Sequence, residues 1–288
     1  MRAAVLPLFP AFVFALCSGL RAQPPRGAEG PGNKLVRQGA QLDLEGRGRE
    51  ARDTFQKAID TAATPAAKAA AERAMAMSWA FEGNCEKTVE YEDRVIAYWK
   101  TQEKASPDNA FYQQGEMSDE AARVCIDSGD FQTAYDLYKR GRDLGLLEPT
   151  ISPARKNLWD YRWEHAQARI ATRRGSKAAA DQHVRAAKSV LDEMKQKDSK
   201  LYEQQARFLP YLTGYVAYYT GDYHSALADL QKANTSDPFI QCLLGMTYEK
   251  LGDRSNARRA YEKALNTHAH NPPAAFAVPF ARKKLKES

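Results

Sequence analysis

Four side chains able to grip an anion stand three, four and four residues apart: Arg162, His165, Arg169 and Arg173. That spacing places all four on one face of a helix. Forty-six residues later the matching positions hold Phe208, Tyr211, Tyr215 and Tyr219, with Tyr218 beside them, and forty-six earlier they hold Glu116, Asp119, Arg123 and Asp127. Guanidinium forks hold carboxylates through paired hydrogen bonds, and tyrosines give rigid contact area at little entropic cost. The combination suits an extended peptide carrying carboxylates together with apolar or proline side chains. Candidate partner contacts are therefore Arg162, His165, Arg169, Arg173, Tyr211, Tyr215 and Tyr218. The plainer reading leaves the arginines on a solvated face and packs the tyrosines between helices, their hydroxyls reaching water.

Other chemistry is hard to find. The sequence has no nucleophile motif, His-Glu-x-x-His zinc site, phosphate loop or dinucleotide fingerprint. It names no catalytic residue, metal ligand or cofactor, and the chain is expected not to be an enzyme. His268 and His270 form a His-x-His, which without further ligands reads as a pair of surface histidines. Trp159 and Trp163 lie four apart and their face continues through Ala166 and Ile170, as expected of core between two helices.

The elements that would position these residues follow from a repeated register. Glycines at 46, 83, 129, 175, 221 and 252 each carry a small residue seven positions before (Gly39, Ala76, Ala122, Ala168, Gly214, Gly245) and another five after (Ala51, Thr88, Ala134, Ala180, Ala226, Ala257). Nine after stand Phe55, Glu92, Tyr138, Val184, Leu230 and Tyr261, of which only Glu92 is charged. Such a register over about twenty residues marks stacked supersecondary units. Apolar residues recur at helical spacing on both sides of each glycine, so each unit reads as a helical hairpin turning at Gly46, Gly83, Gly129, Gly175, Gly221 or Gly252. The next residue is often a helix starter: Asn84, Asp130, Ser176, Asp222, Asp253. Separations between the glycines run 37, 46, 46, 46 and 31, so the hairpin is constant while the links vary. The longer links predict helices from Pro153 to Arg173 and from Ser199 to Tyr219, the second bent at Pro210.

The beginning of the chain reads as an export signal: Arg2, an apolar run from Ala3 to Leu16, and a small-residue exit at Ala22. Phe14, Ala15 and Leu16 before Cys17 do not match a lipid-anchor signal. The expected domains are a signal peptide at 1–22, a flexible lead-in at 23–33, a repeat domain at 34–268, and a capping helix and tail at 269–288 with a solvated outer face bearing Arg282, Lys283 and Lys284. Losing Arg2 and Arg21 with the leader leaves 40 of the 42 basic side chains against 36 acidic, a net charge of +4. That is too little concentrated charge for nucleic acid, and no segment reaches the roughly 18 uncharged apolar residues of a membrane span. An exported product, periplasmic or secreted, follows. It would retain Cys85, Cys125 and Cys242. Separate buried thiols are the ordinary reading; a Cys85–Cys125 bridge is the alternative, because both fall near one end of neighbouring hairpins.

Leu244-Gly245-x-x-Tyr248, Gly252-Asp253, Ala257-x-x-x-Tyr261 and Ala264 resemble a tetratricopeptide repeat, with Gln241 where the family has tryptophan. The unit before it, with Gly214, Gly221-Asp222-Tyr223, Ala226, Leu230, Ala233 and Pro238, is a second close match; the earlier units are degenerate. The resemblance, to exported bacterial proteins of this family, implies an all-α fold: a right-handed superhelix, or α-solenoid, of about six antiparallel helical hairpins. It also implies a concave face lined by first helices that holds a protein or peptide. The family's lysine and asparagine clamp for C-terminal carboxylates is absent. The functional expectation is a non-catalytic exported scaffold binding a protein or extended peptide; the alternative is a self-assembling or cell-envelope complex subunit with an empty groove.

Overall fold

The computed structural model describes residues 31–287; the expected signal peptide and most of the expected lead-in lie outside them. Fourteen helices run in chain order among the described residues. Twelve of them form six hairpins: α1 (Pro31–Glu45) with α2 (Gly48–Asp60), α3 (Pro65–Phe81) with α4 (Cys85–Thr101), α5 (Pro107–Ser128) with α6 (Phe131–Gly145), α7 (Pro153–Arg173) with α8 (Lys177–Lys197), α10 (Leu209–Tyr219) with α11 (Tyr223–Leu230), and α12 (Pro238–Lys250) with α13 (Arg254–Leu265). The two others are a short α9 (Ser199–Ala206) and a terminal α14 (Pro272–Glu287). The result is an all-α solenoid.

Each hairpin turns at its glycine, whose φ lies between 68° and 92°. Side chains with a Cβ rarely adopt that region, so glycine reverses the chain there at little strain. The next helix is then capped by a side chain: Asn84, Asp130, Asp222 and Asp253 accept the backbone N–H of Lys87, Thr133, Ser225 and Asn256. Ser176 occupies the same place without making that bond.

The small residue seven before the turn proves to be the seat of the large one nine after it. A Cβ on Gly39 would stand 2.5 Å from the Phe55 ring, on Gly214 2.7 Å from Leu230, and on Gly245 2.5 Å from Tyr261. The alanines five after the turn, from Ala51 to Ala257, are almost fully buried, so the two helices close to van der Waals contact. Trp159 is wholly buried and fills the space left by Gly115 and Gly145 on the preceding hairpin; its Nε1 donates to Glu148 Oε1 at 3.0 Å. Trp163 is half-buried and meets Tyr135 edge-on.

Glu92 occupies the large-residue slot of the second hairpin at 0% exposure, and neither carboxylate oxygen has a hydrogen-bond partner. Burial, reinforced by Glu120, pushes its carboxyl well above the usual range. The folded state therefore favours the protonated acid; this stabilisation is complete below the carboxyl's unfolded pKa and is lost as pH rises through the folded one. Glu92→Leu, which restores the apolar slot, is expected to raise stability by about 1–3 kcal/mol at neutral pH. Urea unfolding at pH 5 and pH 8 checks this: the gain should be larger at pH 8, and an equal gain at both would count against the assignment.

The structure corrects three expectations. The helix expected from Ser199 to Tyr219 is two helices, because the chain breaks at Arg207 and Phe208 and Pro210 sits in the first turn of α10. Cys85 and Cys125 are joined (S–S 1.99 Å, Cα–Cα 4.8 Å), which ties the start of α4 to α5; only Cys242 is a free buried thiol among the described residues.

The third correction concerns His270, and with it the inner side of α14, whose outer face stays exposed at Lys283 and Lys286. Ala274, Ala275 and Val278 pack against Ala80 and Phe81 of α3 and Val124 of α5, while Ala277 and Ala281 pack against α12 and α13. The helix thus bridges the last hairpin to the second and third. His270, expected at the surface, stacks on Phe81 with 5.3 Å between centroids and bonds Asp43 Oδ2 at 2.8 Å; His268 is exposed. Arg282 donates to the Leu44 carbonyl at 2.6 Å, and Lys284 pairs with Glu249.

Candidate functional site

The first helices of the third, fourth and fifth hairpins bring Arg162, His165, Arg169 and Tyr211 to the wall of one cavity of about 140 Å³. α5 contributes Glu116, Asp119, Glu120 and Arg123 to it, and the start of α14 contributes Asn271, Pro272 and Pro273. The helix spacing of the α7 residues explains their shared face. What the spacing could not show is that the start of α14 forms part of the same wall.

The arginines are not solvated. Arg162 pairs with Glu116, with Asp119 at 4.0 Å. Arg169 is 5% exposed and donates to the hydroxyls of Tyr138 at 2.7 Å and Tyr211 at 3.5 Å; its Nε has no hydrogen-bond partner. Arg173 is half-buried, bonds Tyr215 Oη at 3.4 Å and lies over the rings of Tyr219 and Phe131. Of the tyrosines, Tyr215 is core at 0% exposure, and Tyr218 stands away from the cavity in contact with Tyr219 and Tyr223. The sequence-selected set therefore divides: four residues line the cavity, Arg173 sits beside it, Tyr215 supports it, and Tyr218 belongs to a neighbouring surface.

Burial sets the protonation states. It lowers His165 well below its usual range, with Arg169 and Arg123 adding to the effect, so the ring is neutral. Burial also raises Asp119 well above a normal carboxyl, although Arg162 opposes the shift. Asp127 is pushed up to about 6 by burial, with Arg123, Arg169 and Arg173 pulling the other way. The site thus presents cationic arginines, a neutral imidazole and a carboxyl whose ionisation burial disfavours, an arrangement that recognises charge and hydrogen-bonding pattern. Among the described residues no group of His, Cys, Asp and Glu is placed to hold a metal ion, and no helix is long and apolar enough to cross a membrane.

Residues 240–267, which span most of α12 and all of α13, match the family model of the tetratricopeptide repeat. That one hairpin is of tetratricopeptide-repeat type. The chain is similar to a tetratricopeptide repeat protein from Parabacteroides merdae, at 14% identity, covering 89% of this chain and 84% of that one with a TM-score of 0.47. It is also similar to nearly identical TPR-like repeats from Podosopora anserina, at 17% identity, covering 82% and 95% of the two chains with a TM-score of 0.38. No curated protein matches the sequence. Tetratricopeptide repeats in general serve protein–protein interaction, which is what the matched hairpin suggests for this chain.

Sequence reasoning missed Tyr138, Tyr161, Gln205 and the two prolines on the cavity wall. The prolines carried a signal: Pro272-Pro273 opens a run with Ala274, Ala275, Ala277 and Ala281, side chains too small and apolar for a solvated outer face. That composition belongs to a helix covered on most of its circumference.

Proposed function

We propose that this chain is an exported, non-catalytic scaffold that holds a protein partner at the mouth of the face shared by α5, α7 and α10. One observation carries the reading: Asp127, Arg173 and Tyr219 remain partly exposed there, with the Arg173 guanidinium 4.9 Å from the Tyr219 ring centroid. Arginine and tyrosine pre-ordered by stacking lose little entropy when a partner covers them, as recognition hot spots require. Because Pro272 and Pro273 stand in the wall of the same cavity and narrow the face, the partner touches its rim and does not run the length of the groove. Export is supported by the leader-like residues 1–22 and by the Cys85–Cys125 bridge, a feature of oxidising compartments.

The test is affinity capture from a cell-envelope extract with the full chain, set beside an Arg173→Glu, Tyr219→Ala variant whose helical circular dichroism matches the parent. A specific protein retained by the parent and lost by the variant is expected. Equal retention by both overturns the reading. Sedimentation of the parent addresses the alternative: concentration-dependent assembly would favour a self-assembling subunit over a scaffold for a different protein.

A further inference from the structure

We propose that the cavity between α5, α7 and α10 is a binding site for one small organic carboxylate. The inference is independent of the scaffold reading, which concerns the rim.

The charge inventory gives the sign of the ligand. Glu116 is taken by Arg162, and Glu120 is taken by Arg73, whose Nε lies 2.9 Å from Glu120 Oε2. Arg123 and Arg169 are less closely paired: Asp127 and Asp237 act on Arg123, and Asp119 and Asp127 on Arg169, but none of these makes an ion pair with them within 4.0 Å among the described residues. Arg123 lies over the Phe239 ring at 4.9 Å, and Arg169 meets only tyrosine hydroxyls. Stripping a guanidinium of water without giving it a closely paired anion is costly. The cost falls once a carboxylate enters between them.

Unused hydrogen-bonding capacity points to the same place. His165 is 9% exposed, lines the cavity, and its Nε2 has no hydrogen-bond partner; Arg169 Nε is likewise buried and unpartnered. Two buried polar groups left open on one cavity wall are unusual in a folded protein. A carboxylate accepts from both arginines, and the neutral imidazole can complete its shell.

Size and walls narrow the class further. A cavity near 140 Å³ compares with the roughly 150 Å³ that admits benzene. Tyr138, Phe208, Tyr211 and the Pro272-Pro273 pair surround the charged groups with apolar surface, which fits an organic body and not a bare hydrated ion. Glu116 and Glu120 on the same wall oppose a second negative charge, so a monoanion is preferred to phosphate. At about 140 Å³ the cavity takes a small free molecule more readily than a segment of a partner protein.

The experiment is isothermal titration of the full chain with acetate, benzoate, the neutral isostere benzamide and inorganic phosphate. Saturable binding of acetate or benzoate is expected, at least about tenfold tighter than benzamide or phosphate, as one charge-assisted pair supplies. Arg169→Gln and Arg123→Gln should each weaken it by about tenfold or more. Arg169 also braces Tyr138, so Arg123→Gln, at a less buried position, keeps the test decisive if the first variant unfolds. Binding by neither carboxylate, equal binding of benzamide, tighter binding of phosphate, or unchanged affinity in folded Arg123→Gln would each overturn the proposal. None of these results depends on whether a protein is captured at the rim.

Discussion

Replacing Trp159 with alanine is expected to lower the unfolding free energy by about 3–5 kcal/mol, the range for removing a large buried aromatic. The indole is fully buried between the third and fourth hairpins, and an added Cβ on Gly145 would fall 1.9 Å from its ring. Gly115 and Gly145 thus form a recess shaped for this one side chain, and the rigid backbone around it cannot collapse into the void. A second cost arises at Glu148. That carboxylate is 5% exposed and accepts from Trp159 Nε1 at 3.0 Å and Arg155 Nε at 2.8 Å, so the alanine variant leaves it half-satisfied. Trp159→Phe separates the two effects, because it keeps most of the volume and removes the donor. Urea midpoints for both variants, at equal slope, are the measurement; a loss below about 1 kcal/mol for the alanine variant would show that the recess relaxes.

The hairpins themselves were legible because their determinants are local. A glycine free to take positive φ, a capping side chain next to it, and a small residue opposite a large one all lie within about twenty residues of sequence. Phe55 over Gly39 and Tyr261 over Gly245 are the physical meaning of that register. The candidate site was legible only in part. Helical spacing correctly aligned Arg162, His165 and Arg169, but whether a helix face is open depends on what arrives from elsewhere in the chain. Here α14 arrives from the other end, and His270 meets Asp43 across a separation of 227 residues. No local pattern encodes that contact, so the expected groove gained a wall from α14, whose inner side bridges distant hairpins.

Tyr215 shows the same limit at a single residue. Its register position matches Arg169, yet Arg169 looks into the cavity while Tyr215 is enclosed by Tyr211, Tyr219 and Phe239. The difference lies in the packing of α10 against α12, where an aromatic side chain can be absorbed into a cluster and a guanidinium would have to be paired.

Removing the Cys85–Cys125 bridge is expected to cost about 4 kcal/mol on the chain-entropy account, given a separation of 40 residues. The two cysteines belong to successive hairpins, so the bridge constrains the unfolded chain across a repeat boundary. In a stacked array each unit is held mainly by its neighbours, and weakening one boundary lets the units on either side unfold separately. A Cys85→Ala, Cys125→Ala variant should therefore do more than shift the urea midpoint downward. Its transition should broaden, as the first two hairpins lose their covalent tie to the third and depend on noncovalent packing and on α14 to stay attached. Dithiothreitol on the parent protein should reproduce the shift while leaving the packing of Ile126, Ala134 and Tyr138 around the bridge in place. A double variant much less stable than the reduced parent would mean that the two sulfur atoms contribute chiefly as core volume. Coincident midpoints for oxidised and reduced parent would exclude the entropic account altogether.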